Sequence, residues 1–256
     1  MPRFSRVRLA STLAVLGVAA CGSNDTLGNV TGPSGNLAAI RIAQGVSDAG
    51  RGVDVALNGT TVLTGTAFGS VVPATQGVYD TVPATPQLAF YATGSSTAFY
   101  SNTATTLFPN TRSTIVAFGH VASGATPTAT AVVLPDTTGS ANGAVLVRVF
   151  NTLDYVTPGQ GTAVDVYVYA QGSARPNLPD VAALPYGAPS PYLVRPAATL
   201  VMDVFAAGAS PSTGAPLFTT TLTGGAGAVR TAILLDPFVE APAGTAGRAL
   251  VLNDQQ

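Results

Sequence analysis

The chain has 256 residues, only 9% of them charged and 46% hydrophobic, with 28 Gly, 19 Pro and neither Trp nor Lys. Low charge with this much apolar content excludes charge-driven disorder, and the missing lysine excludes a Walker A loop, a Schiff-base lysine and the lysine-dependent serine hydrolases. The formal charge of −1 becomes −4 without residues 1–20, eight Arg against twelve acidic residues, which argues against nucleic acid and against electrostatic binding to anionic lipid.

The chain opens with Arg3, Arg6 and Arg8, followed by an uncharged run from Leu9 to Ala20. Twelve residues are too few for a membrane-spanning helix, which needs about 20, but they suit the apolar core of an export signal. The run ends Val18-Ala19-Ala20-Cys21, which resembles the bacterial lipobox. That resemblance implies cleavage before Cys21, the lone cysteine, and acylation of its thiol. Residues 1–20 are therefore expected to be a signal peptide and Cys21 a lipid anchor. The expected location is the cell envelope, on the outer membrane if the cell has two membranes, since Gly22 follows the cysteine where inner-membrane retention favours Asp. No intramolecular disulfide can form from a single cysteine. Residues 21–36 are nearly all Gly, Ser, Asn, Thr and Pro, a tether reaching roughly 20–24 Å root-mean-square.

An internal repeat follows. Ala39-Ile40-Arg41-Ile42 is echoed by Leu146-Val147-Arg148-Val149, and Gly52-Val53-Asp54-Val55 by Ala163-Val164-Asp165-Val166. Phe90-Tyr91-Ala92-Thr93-Gly94 matches Val204-Phe205-Ala206-Ala207-Gly208, and each copy closes on an Asp, Val133-Leu134-Pro135-Asp136 beside Val251-Leu252-Asn253-Asp254. The polar join 136–143 predicts domains over 37–135 and 144–253. Within each copy the signals are β signals. Val53 to Leu57 alternates and then reaches Asn58-Gly59, the favoured pair for a tight hairpin, with the returning strand from Thr60. Ala163 to Tyr169 places Val164, Val166 and Val168 on one face. Thr114 to Val121 and Val229 to Leu235 are near-continuous apolar runs, as in central strands. Pro73, Pro109 and Pro196 fall at run ends, and no segment reads as a helix. The fold expected is all-β: two tandem immunoglobulin-like antiparallel β-sandwich domains.

The repeated segments Ile40-Arg41-Ile42 with Val53-Asp54-Val55, and Val147-Arg148-Val149 with Val164-Asp165-Val166-Tyr167-Val168, resemble the bacterial domain of unknown function 4397. The likeness covers nearly all of 37–253. It departs at Ala56, where the pattern has an aromatic, and at the Pro-rich insertion from Ala174 to Pro191. It implies tandem domains in an exported, lipid-anchored protein, and no catalytic residues.

Candidate chemistry is sparse. His120, the single histidine, follows a strand-like run and reads as a strand-end residue satisfied by backbone or solvent; its counterpart in the second copy falls near Asp236. Glu240 is the sole Glu, and neither zinc nor calcium spacing is present, so no metal or cofactor is expected. Tyr167 and Tyr169 share the face opposite the valines, near Tyr186 and Tyr192. They form either a binding surface for an envelope glycan or protein or a cover for the sheet and the domain junction. Arg41 with Asp54, and Arg148 with Asp165, are expected to form structural ion pairs on the outer face of one sheet in each domain. The function expected is a non-catalytic structural or binding role; the alternative is an envelope glycan hydrolase acting through Asp carboxylates.

Overall fold

The structure, a computed structural model, describes residues 36–103, 105–137, 142–155, 161–239, 242 and 244–254. The expected signal, Cys21 and the tether before residue 36 lie outside these residues. The first half contains β1 (Leu37–Val46), β2 (Val53–Leu57), β3 (Thr60–Thr66), β4 (Val71–Val72), β5 (Asp80–Pro83), β6 (Leu88–Ala92), β7 (Ala98–Asn102), β8 (Arg112–Gly119) and β9 (Thr130–Asp136). The second contains β10 (Ala144–Asn151), β11 (Val164–Ala170), β12 (Val181–Leu184), β13 (Leu193–Pro196), β14 (Leu200–Ala206), β15 (Phe218–Leu222), β16 (Val229–Leu235) and β17 (Arg248–Asn253). There is no helix among the described residues.

Each half is a sandwich of an inner and an outer sheet. In the first half the inner order is β4-β1-β8-β9, with β5 also on β1, and the outer order is β3-β2-β6-β7. In the second half the orders are β13-β10-β16-β17 and β12-β11-β14-β15. Pairing is antiparallel throughout except for one parallel pair in each inner sheet, β1 with β8 and β10 with β16. The period of two in the sequence sets the cores. Val53, Val55 and Leu57 of β2 point inward against Ile40, Ile42 and Ile115, while Val164, Val166 and Val168 of β11 meet Val145, Val147 and Val149. The Asn58-Gly59 turn joins β2 to β3 with positive φ at both residues, 50° and 78°, as a type I′ hairpin requires.

The near-continuous apolar runs have a further cause. The two inner sheets stack face to face, so their strands are buried on both sides. In β8, Ile115 and Ala117 face the core of the first half, whereas Val116 and Phe118 face the second half. In β16, Ala232 and Leu234 point into the second core, and Ile233 and Leu235 into the junction. Phe118 meets Phe150 edge-on at 5.3 Å and Tyr186 at 5.5 Å. Gly45 lets the sheets approach: a Cβ there would lie 3.0 Å from the Ala117 carbonyl oxygen and 3.1 Å from Leu235 Cδ2. The molecule is thus four sheets deep, with its third apolar cluster between the halves.

Candidate functional site

The repeated arginines do not pair with the repeated aspartates of β2 and β11. After β1 the chain crosses to the outer sheet before forming β2, so Arg41 and Asp54 lie on different sheets, as do Arg148 and Asp165. Asp54 instead accepts hydrogen bonds from Gly65 N–H (2.8 Å) and the Thr93 hydroxyl (2.6 Å). Asp165 does the same service, accepting Ala183 N–H (2.7 Å) and Gly208 N–H (2.8 Å). Each ties its strand to the neighbouring edge strand, β3 or β12, and to a turn after β6 or β14.

Both arginines project from the inner sheets into the junction, where they meet the aspartates that close the two copies. Arg41 forms an ion pair with Asp254 and lies 3.4 Å from Asp136; its Nε donates to Thr114 Oγ1 (2.8 Å) and its Nη1 to the Asn253 carbonyl (2.6 Å). Arg148 pairs with Asp136, lies 3.9 Å from Asp254, and donates to Thr231 Oγ1 (3.1 Å) and the Pro135 carbonyl (2.6 Å). The arginine of each half therefore grips the last strand of the other. Tyr79 and Tyr192 close the cluster, their hydroxyls donating to Asp136 (2.8 Å) and Asp254 (3.0 Å) and their rings lying 4.9 and 4.8 Å from the two guanidinium carbons. Burial and then the neighbouring aspartate raise the Tyr79 phenol, and burial with Asp254 raises Tyr192. Burial followed by repulsion from Asp136 likewise holds Asp254 above the usual carboxylate range, against the pull of Arg41. Asp136, expected in the linker, is the last residue of β9 and part of this core.

The tyrosines are not one exposed patch. Tyr167 is 1% exposed, edge-on to Phe205 at 5.4 Å. Tyr169, half-buried, donates its hydroxyl to Asp203 (2.9 Å). Arg175, in the insertion, reaches over this face to Phe205 (4.8 Å) and to Asp203 (3.0 Å). Tyr186 packs in the junction and Tyr192 caps Arg148, so the four share no single face.

At one end of the junction the halves part to leave two adjoining chambers of about 500 and 710 Å3. They share Asp236, Pro237, Phe238, Thr245 and Ala246 from the β16–β17 loop. The smaller is completed by the β1–β2 loop with Arg51, by Phe68 and by Arg248; the larger by His120, Asp154, Tyr155, Leu217 and Val239. Phe68 of the first half stacks on Phe238 of the second, with ring centres 5.5 Å apart and planes 23° from parallel. Arg248 lies 5.3 Å over Phe68 and donates to its carbonyl at 3.4 Å. Gly69, at φ 73°, leaves the room: a Cβ there would lie 2.1 Å from the Arg248 guanidinium.

Compared with models of known protein families and with curated proteins, the chain matches none.

The chemistry of the cleft must accordingly be read from its own groups. His120, expected to be satisfied by backbone or solvent, is held by carboxylates: Nε2 lies 3.2 Å from Asp154 and Nδ1 3.8 Å from Asp48. Asp48 also accepts the backbone N–H of Val121 (2.9 Å), and Asp154 accepts that of Gly161 (2.7 Å). Asp236 accepts the N–H groups of Asp154 (2.8 Å) and Tyr155 (3.1 Å), while burial raises its pKa. With both ring nitrogens facing carboxylates, neither is directed at a hydroxyl nucleophile, as a triad requires. Among the described residues no group of three or more His, Cys, Asp or Glu is placed to hold a metal ion. What the cleft offers is apolar and aromatic area with a few fixed polar groups, the usual make-up of a small-molecule site.

The sequence carried a signal for the buried quartet, because Asp136 and Asp254 end the two copies and Thr114 and Thr231 sit at like places in the two apolar runs. It carried none for the cleft, whose Phe68 and Phe238 lie in loops of different halves and whose Arg248 is the first residue of β17.

Proposed function

We propose that the protein is an exported, lipid-anchored bacterial envelope protein with a non-catalytic binding role, and that its ligand is a small molecule lodged between the halves. The observation that carries the binding role is the smaller chamber with Phe68 stacked on Phe238 in its lining, an aromatic wall built jointly by both halves. The cellular address is supported by the signal and lipobox ending at Cys21 and by the resemblance to tandem copies of the domain of unknown function 4397, which rests on the repeated segments quoted above. We read the halves as tandem immunoglobulin-like domains, a reading supported by the repeated inner-and-outer sheet order.

All described structure lies within 36–254, so the unacylated chain 22–256 carries the whole described fold. It is expected to bind the neutral fluorophore N-phenylnaphthylamine at a single saturable site, and Phe238→Asp to abolish that binding while leaving the thermal unfolding transition in place. Unsaturable or absent binding would remove the cleft as a ligand site. The address has its own test: Cys21→Ala should eliminate incorporation of labelled fatty acid in cells, and persistent labelling would mean that Cys21 is not the anchor.

A second reading, a glycan hydrolase, is favoured by one observation: Asp154 and Asp236 both line the larger chamber, and Asp236 is pushed toward its neutral form. Against it, the Asp154 carboxylate is committed to His120 and Gly161 N–H, and Asp236 to two backbone N–H groups. Carboxylates engaged in this way would have to break structural bonds to act as the free acid and base that glycoside cleavage needs.

A further inference from the structure

Seven of the eight arginines in the described residues have partners. Arg41 and Arg148 lie in the quartet, Arg112 lies over Tyr79, Arg175 and Arg195 pair with Asp203 and Asp180, Arg230 donates to Asn253, and Arg248 lies over Phe68. Arg51 alone has no hydrogen-bond, ion-pair or ring partner there, and it stands exposed on the wall of the smaller chamber. An exposed guanidinium is content in water by itself. Its position is what carries information: Arg51 and Arg248, on different halves, converge on one apolar chamber whose aromatic wall is Phe68 against Phe238.

We propose that the smaller chamber binds a small organic anion, an apolar body bearing one carboxylate, sulfonate or phosphate group, with Arg51 and Arg248 on the charge and the Phe68–Phe238 wall on the body. This rests on the reading of the cleft as a ligand site and names the ligand's class. Two guanidiniums face one carboxylate in the chamber, and that carboxylate, Asp236, is turned to the backbone N–H groups of Asp154 and Tyr155. The local balance is therefore positive in a chain that is acidic overall. A guanidinium beside an apolar wall suits an organic anion, because its planar fork matches an oxyanion and is weakly hydrated, so little is lost on partial desolvation. The larger chamber adjoins it without an arginine in its lining, and its Tyr155, Leu217 and Val239 offer apolar area to the ligand's body.

A matched pair of probes tests the class. Anilinonaphthalene sulfonate is N-phenylnaphthylamine with an added sulfonate, so their affinity ratio on chain 22–256 isolates the charge. The sulfonate is expected to bind roughly tenfold tighter, the gain of one charge-assisted contact, and the ratio should shrink as salt is added. Arg51→Gln, at a side chain that supports nothing in the fold, should bring the ratio toward unity. If the neutral probe binds and the sulfonate is no tighter, the anionic class is overturned and the cleft reading stands. If the ratio is large but indifferent to Arg51→Gln, the charge sits elsewhere and the assignment fails. If neither probe binds at a single site, the cleft reading falls with it.

Discussion

Arg148→Ala is expected to destabilise the chain by about 3–5 kcal/mol, because the change leaves buried carboxylates without their counter-charge. Asp136 and Asp254 have side chains that are 0% exposed, and Asp254 is already raised by burial and by repulsion from Asp136. Removing Arg148 strips Asp136 of its nearer guanidinium and leaves Arg41 to serve two anions. The loss should therefore depend on pH in a defined sense. A carboxyl whose folded pKa is raised stabilises the fold below its unfolded pKa and loses that contribution as pH rises through the folded value. The variant's deficit relative to wild type should be greatest near neutrality and shrink as pH falls toward the ordinary carboxylate range near 4. Arg195→Ala is the matched control. Its pair with Asp180 is about one-fifth exposed on either side, and such pairs contribute only about 0.2–1 kcal/mol. Equal, small effects of the two variants in urea unfolding would show that the quartet is not what clamps the halves together.

The contrast between the quartet and the pairs expected from the sequence marks what sequence reasoning can reach here. Alternation is local, so Val53-Asp54-Val55 and Val164-Asp165-Val166 gave strand, face and burial correctly, and Asn58-Gly59 gave its hairpin. Partnership is not local. The rule that consecutive strands neighbour one another fails at β1 and β2 because a sandwich sends successive strands to opposite sheets. Arg41 and Arg148 then face outward from the inner sheets, as alternation requires, but outward means toward the other half. Their partners, Asp136 and Asp254, stood in plain view as the residues that end each repeat. Nothing short of the sheet-on-sheet docking could say that each arginine would cross to the other copy's end. The cleft was less legible still. Phe68 and Phe238 occupy loops far apart in the sequence, and only the docking of the halves brings their rings together.

Tyr167→Ala is expected to cost about 3–5 kcal/mol, the range for truncating a buried aromatic ring, and to leave the binding of N-phenylnaphthylamine unchanged in the protein that remains folded. The side chain is 1% exposed and lies on the face of β11 away from the valine core, where alternation alone would leave it in solvent. It is covered because Phe205 of β14 meets it edge-on and Arg175 of the insertion extends above both rings, 6.0 Å from Tyr167 and 4.8 Å from Phe205. Arg175 is in turn fixed by Asp203, so the insertion acts as a lid bolted onto the outer sheet. The first half has Ala56 at the equivalent place and correspondingly no ring to cover. Tyr167 lines neither chamber of the cleft, which is why its loss should register in stability and not in ligand affinity. Tyr167→Phe keeps the ring and removes only the hydroxyl, so it should cost no more than about 0.5–1.5 kcal/mol. If Tyr167→Ala instead matched wild type in unfolding, the ring would be a surface group, and recognition through β11 would return as the better account of the two tyrosines.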